Sequence, residues 1–153
     1  MSYDIYFVNK SKITLEEIEL IIENEAEDGD PLYISKTLMN DIITLFKSND
    51  LNFSVFSDET GKNLELTFQN FQIQIFTNQI CLSIQYSVSD NNIYSEIKKI
   101  TDLFIHLGFT GFDPQINKIL DEDFSFSESY CSVQSKILTK VSIDNNEFSF
   151  WDK

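Results

Sequence analysis

The residue types that could support chemistry in this chain are its carboxylates, one histidine and two cysteines. The chain carries 25 acidic residues against 11 basic ones, and every basic residue is a lysine. Carboxylates act as a general acid and base only when two of them lie at a defined separation in a cleft, and the spacing here selects no such pair. The sequence therefore predicts no catalytic residues.

The remaining candidate groups do not form a recognisable metal or cofactor site. His106, the single histidine, falls near the end of a predicted helix, where a cation favours the negative end of the helix dipole. Cys81 and Cys131 match no zinc or redox spacing, and Cys81 lies in an apolar strand pattern where a free cysteine behaves as a small hydrophobe. Asp28-Gly29-Asp30 is a fragment of a calcium-loop pattern whose later ligands are missing. We predict no metal and no cofactor.

The densest chemical feature is a run of carboxylates between residues 16 and 30, with no lysine from residue 13 to 35. Helical spacing places Glu16, Glu19 and Glu23 on one face, where like charges repel by a few tenths of a kcal/mol per pair, roughly. One interpretation is a solvated helix face; the other is a surface that a basic partner neutralises. The predicted partner-binding residues are Glu16, Glu19, Glu23, Glu27, Asp28 and Asp30.

The overall charge restricts the classes of partner. A formal net charge of -14 without arginine argues against nucleic-acid binding, because phosphate contacts need clustered basic side chains. Anionic lipid would repel the same surface, whereas a basic protein would be attracted to it. Acidity can also serve solubility alone. The N-terminus lacks a signal-peptide pattern, and no apolar run approaches the roughly 20 residues that span a bilayer, so we expect a cytoplasmic protein.

Three helices are predicted from capping signals and apolar periodicity. Thr14 and Glu17 form a capping-box pattern that predicts a helix to about Ala26. A second helix is predicted from about Ser35 to Lys47. Ser89 or Asp90 would cap the third, which ends at a Gly108 cap. Its apolar stripe comprises Ile93, Ile97, Ile100, Phe104 and Leu107.

The middle of the chain predicts a sheet, because apolar and polar residues alternate with a period of two. Tyr3 to Val8 reads as a first strand, and the later apolar rows are 51–55, 64–68, 71–75 and 80–88. A short extended piece follows at 109–113, then a brief helical turn from Pro114 through Leu120. Residues 128–141 are ambiguous between strand and helix, and a terminal hairpin is predicted around Phe148 to Trp151.

Together these elements predict one α+β domain over residues 1–153. The antiparallel β-meander sheet would have about five or six strands, with two to three helices packed mainly on one face.

Two short segments resemble known sequences. The opening Met1-Ser2-Tyr3-Asp4-Ile5-Tyr6-Phe7 resembles the start of many small, uncharacterised bacterial proteins. Those proteins often carry a late Asp-Pro-Gln segment after a helix ending in glycine, matched here by Gly108 and Phe112-Asp113-Pro114-Gln115. Some of them look like immunity proteins of contact-dependent or polymorphic toxin systems. The resemblance implies a toxin partner and defines no active site.

The leading functional prediction is a cytoplasmic immunity-type protein that neutralises a basic toxin domain, such as a nuclease, through an acidic surface. A structural, adaptor or oligomeric module using Phe148, Phe150 and Trp151 is the first alternative. The second is an enzyme with a carboxylate site that the sequence does not reveal. That site would need converging acids with raised pKa values in a pocket.

Overall fold

The computed structural model describes residues 2–85 and 91–120. Within these ranges the chain forms three helices and seven strands. In chain order they are β1 (Ser2–Val8), α1 (Leu15–Glu23), α2 (Lys36–Ser48), β2 (Ser54–Ser57), β3 (Leu64–Thr67), β4 (Phe71–Ile75), β5 (Ile80–Gln85), α3 (Asn91–His106), β6 (Thr110–Asp113) and β7 (Lys118–Leu120). In the described part of the chain, no helix has the length and apolarity needed to cross a membrane.

All seven strands form one antiparallel sheet in the order β2-β3-β4-β5-β1-β6-β7. Strands β2 to β5 are the predicted meander, and β1 continues the sheet beside β5 and joins it to the β6–β7 hairpin. The α+β class with an antiparallel meander is therefore confirmed. The strand count exceeds the predicted five or six because β6 and β7 form a hairpin against β1.

The main core lies between one face of the sheet and helices α2 and α3. The buried stripe of α3 runs from Ile93 to Phe104, as its spacing predicted. The Phe104 ring lies 4.6 Å from Phe7 of β1 and 5.3 Å from Phe46 of α2, measured between ring centroids. These aromatic contacts tie both helices to the central strand.

Helix α1 packs against the opposite face of the sheet. Its buried Ile18 joins a smaller cluster with Val8 and Phe112, at the end of the sheet formed by β1, β6 and β7. Two of the three helices thus share one face, as predicted, and α1 alone covers part of the other. The rest of that face carries the polar rows predicted from the period of two, including the cross-strand partners Thr67, Gln72 and Ser83.

Thr14 caps α1 as predicted, and Ser35, near which the second helix was predicted to begin, caps α2. The side chain of Thr14 accepts a hydrogen bond from the backbone of Glu17, and that of Ser35 accepts one from Leu38. Gly108 has a φ of 93° and lets the chain leave α3 with a bond from Phe109 N to Phe104 O.

The predicted end of the first helix at about Ala26 is wrong by three residues, since α1 stops at Glu23. Asn24 adopts an extended conformation, and its side-chain amide donates to the carbonyl of Leu20.

The strand predicted over 51–55 begins later, at Ser54. Asp50 has a φ of 60°, and the backbone of Leu51 donates back to Phe46, so this turn closes α2. Leu51 is therefore buried beneath the end of the helix, and Val55 is exposed.

The helical turn predicted from Pro114 through Leu120 is also wrong. Residues 114–117 form a turn in which Asn117 has a φ of 51°, and β7 then pairs with β6. A strand forms here instead of a helical turn because β6 has an unpaired edge with which the returning chain can pair.

Several predictions fall on residues outside the described ranges. They are the Ser89 or Asp90 cap, the end of the strand at Tyr86 to Val88, the state of 128–141, Cys131 and the terminal hairpin.

Candidate partner-binding surface

The acidic surface consists of the outward side of α1 and the segment 24–30 that follows it. Glu16, Glu19 and Glu23 are all exposed and follow one side of the helix, as their spacing predicted. Glu27 and Asp28 are exposed in the segment beyond. Asp30 is exposed as well, so all six predicted residues lie on this stretch of surface, and none of them is an ion-pair partner of any described residue.

Glu17 is the neutralised member of the cluster. The Lys10 ammonium lies 2.7 Å from its carboxylate and lowers the pKa of Glu17, with a smaller contribution from Thr14. Both partners are about half exposed, so this ion pair adds little to stability. Its effect is to remove one charge from the first turn while leaving the neighbouring Glu16 and Glu19 uncompensated.

The far end of α1 concentrates charge where the helix itself is negative. Glu23 ends the helix, and no basic residue occupies the last turn. Carboxylates near the C-terminus oppose the helix dipole by about 0.3–1 kcal/mol each. This end of the surface is therefore where a cationic partner would relieve the most repulsion.

The β4–β5 turn holds that end of the helix in place. The amide of Asn78 donates to the carbonyls of Ile21 and Asn24, at 3.2 and 2.8 Å. The Ile21 carbonyl also accepts a hydrogen bond from the Asn24 backbone at 3.3 Å, whereas the Asn24 carbonyl lies beyond the last residue of the helix. The position of the acidic surface on the sheet is thus fixed by a neutral side chain 54 residues away along the chain, which the sequence patterns did not predict.

An open cleft of about 740 Å³ adjoins the acidic surface. It lies between the segment after α1 and the turn that connects β2 to β3. Three predicted or neighbouring acids, Glu25, Glu27 and Asp28, line one side, and Asp58 and Lys62 line the other. Tyr33 and Phe76 also line the cleft. Carboxylates beside aromatic rings suit the long, partly apolar side chains of lysine and arginine.

Asp58 is a fixed charge in this cleft. The Thr60 hydroxyl and the Asn63 amide donate to its two carboxylate oxygens, at 2.9 and 3.0 Å, and lower its pKa. The side chain therefore stays ionised and oriented. Sequence reasoning missed Asp58 because its link to the acidic surface comes from the strand order.

Asp30 is exposed at the end of the acidic surface and also has a local role. Its carboxylate accepts a hydrogen bond from the backbone of Leu32, and its carbonyl accepts one from Tyr33. Gly29 precedes it with a φ of 98°. These contacts make Asp30 a turn residue.

Leu20 stands on the acidic side of α1 with 62% of its surface exposed. It lies one turn from both Glu16 and Glu23. An apolar residue ringed by charges matches the arrangement of protein interfaces, in which a dry centre is surrounded by a polar rim.

A second polar cluster lies on the open face of the sheet. The Ser83 hydroxyl donates to Asp4 at 2.7 Å and lies 3.5 Å from the Cys81 sulfur. Burial raises the pKa of the Cys81 thiol, and burial together with Cys81 and Asp4 raises that of Tyr6 to about 12. Both groups are thus held in their neutral forms, which is the opposite of an activated nucleophile.

The remaining candidate groups do not converge. Glu96 has a raised pKa because it is partly buried, and Lys99 opposes the effect. His106 is exposed at the end of α3, as predicted, on the opposite side of the sheet from Cys81. In residues 2–85 and 91–120 no group of three or more His, Cys, Asp or Glu residues is placed to hold a metal ion.

The two segments that carry the sequence resemblance meet in space. The Gln115 amide bonds both backbone groups of Asp4, at 2.9 and 2.8 Å. Asp113 is fully buried and accepts from the Tyr3 hydroxyl and from the backbone and side chain of Gln115. Within this chain the Asp-Pro-Gln segment is therefore a latch between the β6–β7 turn and β1.

No protein-family model matches this chain, and no curated protein and no solved structure is significantly similar to it. The functional conclusion therefore depends on the geometry of the acidic surface.

Proposed function

We propose that this chain is a cytoplasmic immunity-type protein that binds a basic toxin domain and neutralises it through the acidic surface. The observation that supports it most directly is the uncompensated charge on α1 and the segment after it. Eight acidic residues lie between positions 16 and 30, and Glu17 alone pairs with a described lysine. Repulsion among them is relieved when a cationic surface docks.

Toxins that act on nucleic acids suit such an inhibitor, because their own substrate sites must be basic to hold phosphate. An acidic surface competes for that site and also steers the encounter, which raises the association rate at low salt. The adjacent cleft, with Asp58 fixed in its wall, would receive basic side chains that reach past the helix. Leu20 would supply the apolar centre of the contact.

The first test is a pull-down from the native host with the tagged chain, washed at low and then at high salt, with mass spectrometry of the bound proteins. We expect one basic protein that salt releases. Recovery of the chain alone, or of an acidic or neutral partner that high salt retains, contradicts charge-driven neutralisation.

The purified partner then allows a matched comparison of two charge-reversed variants. Glu19→Lys with Glu23→Lys alters the acidic surface, whereas Asp41→Lys with Asp102→Lys alters exposed acids of α2 and α3 on the other side of the sheet. Both pairs change the net charge equally. We expect the first to weaken binding about tenfold at low salt and the second to have little effect. Equal losses would mean that net charge, and not this surface, drives the interaction.

A further inference from the structure

Strand β2 is an unusually open edge of the sheet. It pairs with β3 on one side and with no other described strand on the other. All four of its residues, Ser54–Ser57, are exposed, and the apolar Val55 and Phe56 are 44% and 67% accessible. Edge strands of soluble proteins are usually blunted by lysine, proline or a bulge, and β2 contains no charged residue and no proline.

The opposite edge of the described sheet shows the contrast. Strand β7 has three residues, one of which is the exposed Lys118, and its Ile119 packs into the small cluster beneath α1. The two edges differ in the features that discourage strand addition. The open backbone and apolar side chains of β2 are therefore a surface on which an extended segment can pair.

Charge favours a basic occupant on this edge. Glu65 of β3 lies directly opposite Phe56, and β2 leads at once into Asp58, which lines the acidic cleft. A strand laid along β2 in either direction has one end beside that cleft. A second copy of this chain is disfavoured because each copy carries a net charge of -14. A four-residue edge also offers far less than the roughly 800 Å² per partner of a stable interface.

We propose that the edge of β2 pairs with an extended segment of a protein partner that carries lysine or arginine. The added strand covers Val55 and Phe56 and delivers basic side chains to the acidic cleft. This inference rests on the proposed neutralisation of a basic protein and names the backbone contact through which part of that partner is held.

The test uses two synthetic peptides, one of alternating valine and lysine and one of alternating valine and glutamate. Hydrogen exchange of the full chain is followed with each peptide. We expect the lysine peptide to slow exchange at residues 54–57 and the glutamate peptide to leave it unchanged. Phe56→Ser should lower the affinity for the lysine peptide about tenfold, because an apolar contact is lost. Ile116→Ser, which alters an exposed apolar residue in the β6–β7 turn, is the matched control and should have no effect.

Three results would overturn the inference. Binding of the lysine peptide without protection of residues 54–57 would mean that the peptide binds the acidic surface and does not pair with the edge of β2. Equal protection by both peptides would show that charge does not select the occupant. Self-association that Phe56→Ser abolishes would assign the edge to a second copy. Failure of the proposed function is detected separately, by the absence of a basic partner in the pull-down.

Discussion

The buried carboxylate of Asp113 has a structural role that the exposed acids of α1 do not share. It is the only fully buried acid among the described residues, and its partners come from the two ends of the described chain, Tyr3 and Gln115. A buried charge is tolerated only when hydrogen bonds replace its hydration. By contrast, the carboxylates on the outward side of α1 are solvated and have no such partners among the described residues.

Substitution of Asp113 by alanine should therefore destabilise the fold. Loss of its hydrogen bonds leaves the Tyr3 hydroxyl buried without this acceptor, and we expect a loss of about 3 kcal/mol in the free energy of unfolding. Urea denaturation measures the change. Asp102→Ala, at an exposed acid of α3, is the control and should cost less than about 1 kcal/mol. Equal effects of the two substitutions would contradict the structural role of the Asp113 latch.

The Tyr6 phenol provides a prediction with a defined pH range. Its pKa is raised by burial, and further by Cys81 and Asp4, from 10.0 to about 12 in the folded chain. Between these values the folded state retains a proton that the unfolded state has lost. Stability from this group is therefore complete below pH 10 and is lost as the pH rises towards 12. We expect the unfolding free energy of the native chain to fall more steeply over this range than that of Tyr6→Phe. If the unfolding free energies of the two proteins change in parallel with pH, the raised pKa of Tyr6 is excluded.

At the scale of elements, the β4–β5 turn determines how firmly the acidic helix is held. Asn78 satisfies carbonyls at the end of α1, and the helix otherwise contributes a single fully buried residue, Ile18. Helices of this length depend on tertiary contacts for their stability. The turn and the small apolar cluster therefore act together to keep the charged side of α1 oriented.

We expect Asn78→Ala to loosen α1 without unfolding the sheet. Amides of residues 15–24 should exchange about tenfold faster, because the loss of these hydrogen bonds amounts to about 1–2 kcal/mol of local stability. Hydrogen exchange with mass spectrometry resolves this segment from the strands. Asn40→Ala, on the exposed side of α2, is the comparison. Uniform acceleration over the whole chain would show a global effect instead of a local one.

Elements governed by local periodicity were predictable, and elements governed by strand pairing were less so. The α3 stripe and its Gly108 cap follow from sequence because a single helix face decides them. Pro114 to Leu120 was misassigned, since pairing with β6 and the bonds of Gln115 to β1 outweigh local preference. The end of α1 was predicted three residues too late because side-chain amides of Asn24 and the distant Asn78 donate to its last carbonyls. The site was half predictable for the same reason. The spacing within one helix places Glu16, Glu19 and Glu23 together, whereas only the strand order brings Asp58 near them.

For the whole molecule, net charge links stability to salt. A charge of -14 disfavours the compact state through self-repulsion, which weakens as the screening length falls from about 30 Å at 0.01 M salt to about 8 Å at 0.15 M. Within the described residues, the eight acids from position 16 to 30 have a single ion pair, between Glu17 and Lys10, so repulsion is strong there. The residues that we propose bind a partner are therefore also residues whose repulsion opposes folding.

The pair Glu19→Lys and Glu23→Lys should therefore make the chain more stable while weakening its binding. We expect a gain of about 1 kcal/mol at 0.01 M salt from relief of repulsion and from a cation at the helix C-terminus, and a smaller gain at 0.15 M. Thermal or urea unfolding at the two salt concentrations measures the gain in stability at each. A loss of stability at low salt would contradict the charge distribution described for α1.

The outward side of α1 also determines how freely this protein can change over generations. Glu16, Glu19 and Glu23 make no contacts on which the core depends, so most substitutions there would leave the fold intact. On the proposed function, each such substitution would alter the fit to the partner. On the proposed function, the binding surface could therefore change through a few solvated side chains, while Ile18 and Asn78 keep α1 in the same place on the sheet.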